Sequence, residues 1–333
     1  MTPGCAETLI RKAFDSKAER IFFAFQGGEP TLAGLDYFEK FVSFVKKYYN
    51  GAKYSFALQT NGTLVNNEWA AFFLENNFLI GLSLDGDRET HDFFRPGFKG
   101  EGSYKAALSA ARVMSAHEVN YNILTVVTDN VAKHISKIYN HFKSLGFYFL
   151  QFIPCFEPLG VGPGGNAGGL KDIRLTPERY GEFLIKLFDL WLFDFEKGNY
   201  ISIRHIDNYI QLLAGKPPEN CAMRGECGAY FVVESDGSLY PCDFYCIDKY
   251  RLKSIYDYGP FTIMPLHQEF IDDSKRLDTE CKECEYYFIC RGGCKRDREP
   301  RLTRNKYCEA YKAFFKHSLN DMKIIANTQR KGN

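Results

Sequence analysis

The sequence lacks the features of a membrane protein, a secreted protein and a nucleic-acid-binding protein. No stretch approaches the roughly 20 consecutive apolar residues that span a bilayer, and residues 1–7 show no charged and apolar signal segment. Lys and Arg together number 42 against 41 Asp and Glu, and no long basic run is present. We therefore expect a cytoplasmic protein with no membrane and no nucleic acid among its partners.

The cysteine pattern argues against a fold held by disulfides. The 11 cysteines are an odd number, and nine of them lie at or after Cys221. A reducing compartment keeps thiols free, so they remain available as metal ligands. With 333 residues and 45% hydrophobic content, the chain can bury a full core and has room for roughly two domains.

The first half of the chain alternates short apolar runs with helical patterns. The runs end in turns that contain Gly, Asn or Asp, as strands do. The predicted strands are residues 21–25, 54–58, 78–84, 120–127 and 147–153, and the predicted helices are residues 35–49, 66–76, 103–117 and 131–145. Five strands that alternate with helices predict parallel βαβ units, closed or nearly closed as a barrel.

Barrels of this kind carry their chemistry at the carboxyl ends of the strands. The residues expected to cluster there are Gln26, Gly28, Gln59, Ser83 and Phe156. For any one of these positions, a role in turning the chain explains the residue equally well.

Residues 157–175 are rich in glycine and predict a loop or lid. Residues 160–165 match the letters of G-x-G-x-x-G, but no β-rich run leads into them, so we discard a nucleotide-binding fingerprint. Thr176 is a good N-cap for an aromatic-rich helix that runs to about Glu196.

Eight cysteines in the last third have the spacing of metal ligands, and short spacings let neighbouring thiolates reach one centre. A predicted hairpin that turns at Asp236 and Gly237 brings Cys242 back towards the first pair. Glycines 292 and 293 let the backbone wrap closely around a metal group. The eight are Cys221, Cys227, Cys242, Cys281, Cys284, Cys290, Cys294 and Cys308.

Spacing alone leaves the type of metal open. Four-cysteine zinc sites also use C-x2-C pairs, and only one such pair is present, which slightly favours iron–sulfur clusters. Incidental buried cysteines are a weaker explanation for eight residues at this density. Cys5 and Cys246 are predicted to be ordinary thiols, and Cys155 is ambiguous because it follows a strand.

Several segments resemble the radical S-adenosylmethionine enzymes. Residues 25–32, FQGGEPTL, look like their G-G-E-P motif, and the cysteine region is similar to their SPASM domain. Residues 59–63 (QTNGT), 81–86 (GLSLDG) and 232–245 (VVESDGSLYPCDFY) narrow the resemblance to the anaerobic sulfatase-maturating enzymes. The likeness runs from about Thr8 to Ile325.

The resemblance implies an α/β fold in two domains. Residues 1–215 would form a partial (β/α)6 radical SAM barrel that lacks its first strand. Residues 216–333 would form a small SPASM domain with two auxiliary 4Fe–4S clusters and a C-terminal helix.

The resemblance also implies the ligands of each group. S-adenosylmethionine would bind near Gly28, Ser83, Arg95 and Phe156, although Arg95 by itself could equally be a surface cation. One auxiliary cluster would be held by Cys221, Cys227, Cys242 and Cys294. The other would be held by Cys281, Cys284, Cys290 and Cys308.

The implied reaction is the oxidation of a cysteine or serine in a sulfatase to Cα-formylglycine. A reduced cluster would cleave S-adenosylmethionine, and the resulting radical would take a hydrogen atom from the substrate Cβ. Asp243 would remove the thiol or hydroxyl proton, and Gln26 would hold the substrate peptide. The partners would be the sulfatase polypeptide and an electron donor such as a ferredoxin or flavodoxin.

One departure from the family is expected to matter. The Cys-x3-Cys-x2-Cys motif that binds the catalytic cluster has no match in residues 1–333, which predicts a truncated or wrongly started sequence, inactive as written. A third 4Fe–4S cluster is expected only if that segment is present. The alternatives are modification of another peptide by the same chemistry, or a non-catalytic iron–sulfur module for electron transfer.

Overall fold

The computed structural model describes residues 1–97, 100–156, 175–257, 259–298 and 304–331. The predicted glycine-rich loop, apart from Leu175, lies outside these residues, and so does the segment 160–165. Within the described ranges, no helix is both long and apolar enough to cross a bilayer.

The described residues form an α/β fold, and the predicted strands and helices of the first half are all present. One predicted helix is divided, since residues 131–145 fall in two short helices on either side of His134. The helices are α1 Pro3–Asp15, α2 Leu35–Tyr48, α3 Asn67–Glu75, α4 Arg88–Phe94, α5 Tyr104–Ala116, α6 Asp129–Lys133, α7 Ile135–Ser144, α8 Pro177–Glu196, α9 Arg204–Leu213, α10 Pro265–Ser274, α11 Thr279–Lys282, α12 Tyr287–Cys290 and α13 Cys308–Lys331. The strands are β1 Arg20–Phe25, β2 Lys53–Thr60, β3 Phe78–Ser83, β4 Tyr121–Val127, β5 Phe149–Pro154, β6 Ser202–Ile203, β7 Val232–Val233, β8 Ser238–Tyr240 and β9 Lys253–Ser254.

The large sheet has six strands in the order β1-β2-β3-β4-β5-β6. The pairings β1–β2, β2–β3, β4–β5 and β5–β6 are parallel. The expected count of five was too low because β6 is only two residues long, too short to produce an alternating pattern. Among the described strands β1 and β6 do not pair, so the sheet is open and the expected closure into a barrel is not seen.

The chain divides into two compact units. The first comprises Met1–Leu82, Ala106–Tyr121 and Gly228–Asp273, and the second comprises Ser83–Lys105, Asn122–Cys227 and Ser274–Asn333. Each unit therefore combines segments from both of the predicted domains. The predicted boundary near residue 215 stays a prediction.

Aromatic side chains build the core of the first unit. Phe56 of β2 stacks on Phe78 of β3 with ring centres 4.7 Å apart and on Phe23 of β1 at 5.8 Å. Phe38 of α2 meets Trp69 of α3 edge to face at 5.4 Å. Edge-to-face and offset pairs of this kind add to the free energy of apolar burial, so they fix the helices against the strands.

The first unit also contains a three-stranded antiparallel sheet in the order β7-β8-β9. The register pairs Val232 with Tyr240 and Val233 with Leu239. Gly237 has a φ of 86° at the predicted turn, where a left-handed backbone favours glycine. The hairpin predicted from the sequence is therefore present, and its second strand leads directly into Cys242.

The second unit is organised around the long helices α8 and α13, which pack along each other. Tyr180 of α8 lies 4.6 Å from the ring of Tyr307, and Phe188 meets Phe314 of α13 at 6.0 Å. Thr176 caps α8 by accepting a hydrogen bond from the backbone N–H of Arg179, as its sequence predicts. This packing holds the start of α13, and with it Cys308.

Candidate functional site

Four of the predicted ligands line one cavity in the second unit. Cys281 lies in α11, Cys284 follows it, Cys290 ends α12 and Cys308 begins α13. The cavity is partly open, and the space that protein atoms leave empty there is about 490 Å³ when the solvent at its mouth is included. Its remaining wall is aromatic and polar, formed by Tyr286, Tyr287, Tyr311, Phe315, Arg304, Asn305, Gly292, Glu280 and Lys312.

A left-handed turn after α12 shapes this cavity. Arg291, Gly292 and Gly293 have φ values of 51°, 81° and 67°. A Cβ on Gly292 would lie 2.5 Å from Leu277, and one on Gly293 would collide with the amide of Asn305. A side chain would be strained at both positions, and the predicted role of this pair, to let the backbone wrap around a metal group, stays a prediction.

Burial and charge act on the thiols of the cavity. Burial raises the pKa of Cys290 to about 11 and also raises that of Cys281. A hydrogen bond to Cys308 raises the pKa of Arg304. The Cys281 and Cys290 thiols therefore keep their protons at neutral pH, and a metal group must displace those protons when it binds.

A second group in the same unit contains Cys221, Cys227 and Cys294. Burial is the main cause that raises the pKa of Cys227 and Cys294, and the neighbouring Cys221 raises both further. The backbone N–H of Cys227 donates to Ser274 Oγ over 2.8 Å, and the N–H of Arg296 donates to Cys294 Sγ over 3.4 Å. The effect of Cys221 on the pKa values of the other two shows that the three thiols lie near one another.

A buried carboxylate adjoins the second group. Asp297 is buried, and burial raises its pKa to about 6, while Lys306 at 3.8 Å opposes that shift. Arg298 donates to the carbonyls of Ser274 and Arg276 over 2.5 and 2.6 Å. Because Ser274 also accepts from Cys227, these contacts connect the cysteine loop to the end of α10.

The described residues contain no group of three or more His, Cys, Asp or Glu side chains already arranged around one metal ion. The four cysteines of the cavity stand instead around an open space. A 4Fe–4S cluster takes four cysteine thiolates, one for each iron, so it suits ligands that surround a volume. The donor set and the cavity therefore fit such a cluster.

The predicted base lies at the end of the hairpin in the first unit. Gln26, which follows β1, donates from Nε2 to Asp243 Oδ2 over 2.9 Å. The neighbouring Cys242 donates from Sγ to Asp243 Oδ1 over 3.3 Å and accepts from the Tyr230 hydroxyl over 3.2 Å. Asp243 is exposed. The structure thus pairs the predicted base with the residue predicted to hold the peptide.

Glu29 ties together the two loops that follow β1 and β2. Its Oε1 accepts from the Thr31 N–H and hydroxyl and from the Thr60 hydroxyl, and its Oε2 accepts from the Asn61 N–H, over 2.6 to 3.1 Å. Just before it, Gly28 has a φ of 55°, and no described atom lies within 4 Å of the Cβ position. The loop therefore offers an open backbone surface, which fits the close approach of a ligand. The motif contained Glu29, but sequence reasoning gave it no role.

Arg95 is held by a buried carboxylate in the second unit. Its Nε donates to Asp85 Oδ2 over 2.6 Å, and the other carboxylate oxygen accepts from the Val126 N–H over 2.8 Å. The Asp85 N–H donates to His91 Nδ1 over 3.1 Å, and burial lowers the pKa of His91 to about 4. Arg95 is therefore a fixed, partly buried cation. Sequence reasoning missed Asp85, whose only signal was its place two residues after β3.

The remaining predicted residues lie in different parts of the two units. Ser83 ends β3, and Phe156 follows β5 with Lys306 Nζ 5.7 Å from its ring centre. Gly28 belongs to the first unit, whereas Ser83, Arg95 and Phe156 belong to the second. Cys242 likewise belongs to the first unit and the other three cysteines of its predicted set to the second. Both sets stay predictions.

Comparison with known proteins finds relatives that match this chain over nearly its whole length. The chain is 42% identical to a cysteine-type anaerobic sulfatase-maturating enzyme of Clostridium novyi, over 97% of this chain and 87% of that protein. It is 32% identical to a serine-type enzyme of Bacteroides thetaiotaomicron, over 95% of this chain and 80% of that protein. No protein-family model matches the chain.

A solved structure, native anSMEcpe with bound AdoMet and Kp18Cys peptide, agrees closely with this fold. The TM-score is 0.92 at 41% identity, and the match covers 98% of this chain and 91% of that one. The resemblance inferred from the motifs is confirmed in both sequence and fold. The chain therefore belongs to the anaerobic sulfatase-maturating enzymes, which are radical S-adenosylmethionine enzymes with a SPASM domain.

Proposed function

We propose that this protein oxidises a cysteine or serine of a sulfatase to Cα-formylglycine. The observation that carries the proposal is the high identity to a cysteine-type sulfatase-maturating enzyme over nearly the whole chain. Identity to the serine-type enzymes is lower, which favours cysteine as the residue that is oxidised. A peptide-bound relative of the same fold supports a polypeptide substrate.

The cofactors of this reaction are S-adenosylmethionine and 4Fe–4S clusters. The cavity with Cys281, Cys284, Cys290 and Cys308 would hold one auxiliary cluster, supported by the four cysteines that line it. Cys221, Cys227 and Cys294, with Cys242, would hold the other, supported by the family pattern. When bound, these groups supply the radical that takes the substrate hydrogen atom and the sites that accept an electron.

Asp243 is proposed to take the proton from the substrate thiol or hydroxyl. A free thiol with a pKa of about 8.5 is mostly protonated at neutral pH, so a positioned carboxylate is needed to make the more easily oxidised anion. Gln26 donates to one oxygen of Asp243, which leaves the other available to the substrate once Cys242 is metal-bound. Gln26 is thus proposed to position the base as well as the peptide.

Arg95 is proposed to pair with the carboxylate of S-adenosylmethionine. A guanidinium can donate five hydrogen bonds, and Asp85 engages it through Nε. The open backbone at Gly28 is proposed to admit the ligand's amino group, since no described atom fills the space beside it. Ser83 and Phe156 complete this proposed set.

The test is the modification of a peptide that contains Cys-x-Pro-x-Arg, compared with its serine analogue. The protein would be produced from its natural gene with any codons ahead of Met1, since the Cys-x3-Cys-x2-Cys pattern is not found in residues 1–333. Reading the gene upstream for that pattern comes first. Mass spectrometry under anaerobic conditions, with reductant and S-adenosylmethionine, should report the mass of the aldehyde product.

Asp243→Asn should lower the rate of aldehyde formation about 100-fold or more, the usual range for loss of a general base. Iron content should be unchanged, which separates loss of the base from loss of a cluster. Asp248→Asn, at another exposed carboxylate of the same unit, is the matched control and should keep full activity. An active Asp243→Asn variant would remove Asp243 from the mechanism.

Two other outcomes would favour the alternative functions. Cleavage of S-adenosylmethionine without any change in either peptide would point to a different peptide substrate. A protein that binds both auxiliary clusters but never cleaves S-adenosylmethionine would be an electron-transfer module.

A further inference from the structure

The register of the β7–β8 hairpin places a tyrosine opposite a predicted cluster ligand. Val232 pairs with Tyr240 and Val233 with Leu239. Continuing this register two residues past the strand ends sets Tyr230 against Cys242. The hairpin therefore builds the contact between the two side chains, and the turn at Gly237 fixes it.

The contact is a hydrogen bond to sulfur. The Tyr230 hydroxyl donates to Cys242 Sγ over 3.2 Å, while Cys242 itself is buried. The same sulfur lies 3.3 Å from Asp243 Oδ1, to which the thiol donates. A thiolate bound to iron has no proton, so it can only accept; the tyrosine hydroxyl then remains a donor, whereas the carboxylate adds negative charge beside the sulfur.

We propose that Tyr230 tunes the auxiliary cluster that Cys242 ligates, by raising its reduction potential. The proposal rests on the proposed function, because it needs Cys242 to be a cluster ligand. Hydrogen bonds to ligand sulfurs favour the more negative, reduced cluster and are a known means of setting its potential. Tyr230 would keep its proton and its hydrogen bond to the Cys242 sulfur while the substrate passed one electron to the bound cluster.

The hydrogen bond from Tyr230 offsets the effect of the nearby Asp243 carboxylate on the cluster. A base close to a cluster ligand makes the addition of an electron less favourable, because like charges repel. Tyr230 donates to the same sulfur and offsets part of that repulsion. The carboxylate can thus stay close to the cluster while the cluster still accepts the substrate electron.

The test is a redox titration of the full chain carrying both auxiliary clusters, followed by electron paramagnetic resonance. In Tyr230→Phe the ring is kept and only the donor is lost. At a fixed potential we expect the ratio of reduced to oxidised cluster to fall about tenfold for one cluster, a shift of about 59 mV to more negative potential for one electron. The second cluster, of which Cys242 is not a proposed ligand, should keep its potential.

Tyr54→Phe is the matched control, because Tyr54 is 38% exposed and Tyr230 is 39% exposed. Tyr54 packs against other aromatic rings and its change should move neither potential. Unchanged potentials in Tyr230→Phe with full iron content would overturn the proposal. Loss of iron from that variant would also overturn it, since Tyr230 would then hold the cluster rather than tune it. If the wild-type protein itself contained no iron, that result would contradict the proposed function rather than the role of Tyr230.

Discussion

The two cysteine groups of the second unit differ in how their ligands are gathered and in what surrounds them. The cavity group takes all its cysteines from residues 281–308, carried by α11, α12 and the start of α13. The other group joins Cys221 and Cys227 to Cys294 across a long stretch of sequence. The first group therefore lies within one short stretch of sequence, whereas the second depends on the fold.

The charges around the two groups differ. Arg304 hydrogen-bonds to Cys308 at the cavity, whereas the buried Asp297 adjoins Cys294, and Lys295 and Arg298 act on Cys227. A cation beside a ligand favours the reduced cluster, and a carboxylate favours the oxidised one. We therefore expect the two proposed clusters to have different potentials.

The largest effect is expected from removing one ligand from each group, which tests whether the two cluster sites are independent. Cys290→Ser should remove the cavity cluster and Cys294→Ser the other, so each variant should lose about half of the roughly eight irons that two 4Fe–4S clusters contain. Anaerobic iron and sulfide analysis measures this. Cys246→Ser, at a predicted ordinary thiol, should keep all the iron. If either ligand variant lost all the iron, the two sites would not be independent.

Replacing one glycine in each group by alanine is expected to have an effect of intermediate size, on the stability of the protein. Gly292 at the cavity and Gly225 near Cys227 both have left-handed backbones, but a Cβ would lie 2.5 Å from Leu277 at the first and 3.3 Å from Arg291 at the second. Backbone strain costs about 1–3 kcal/mol, and Gly292→Ala adds a steric clash. We expect the urea midpoint to fall most for Gly292→Ala.

Gly146→Ala serves as the control for strain alone, because its φ is 75° and no described atom lies within 4 Å of the Cβ position. Its midpoint should fall as much as that of Gly225→Ala or less. Equal midpoints for Gly292→Ala and Gly146→Ala would mean that Leu277 yields without cost and that the turn is looser than described.

The smallest expected effect is at Arg304. Arg304→Gln should lower the potential of the cavity cluster, but by less than Tyr230→Phe shifts its own, because the arginine side chain is 38% exposed and solvent screens its charge. Redox titrations at low and high salt test this, since salt should shrink the effect. Arg251→Gln, at an exposed arginine of the other unit, should change neither potential. A salt-independent shift would mean a lost hydrogen bond rather than a lost charge.

Local patterns in the sequence were sufficient for most of the fold. β1 to β5, the helix cap at Thr176 and the hairpin before Cys242 follow from periodicity, turn residues and capping. The sequence analysis missed β6 because a strand of two residues is too short to show an alternating pattern. Spacing marked the eight cysteines as metal ligands, but their division into two sets of four came only from the family resemblance.

Contacts between distant segments could not be predicted in this way. The hydrogen bond between Gln26 and Asp243 joins residues 217 positions apart, and nothing local to either residue indicates it. Asp85 and Glu29 received no role from sequence reasoning, because partners such as Val126 and Thr60 lie on distant strands. Tertiary structure, rather than local pattern, decides what such polar residues do.

Because Asp85 pairs with Arg95, the long arginine side chain becomes ordered when the protein folds, before any ligand binds. A free arginine carries about 2 kcal/mol of rotamer entropy, which binding would otherwise have to overcome. Asp85 already restrains this side chain over 2.6 Å. An anionic ligand would thus meet a preorganised guanidinium and keep more of its intrinsic affinity.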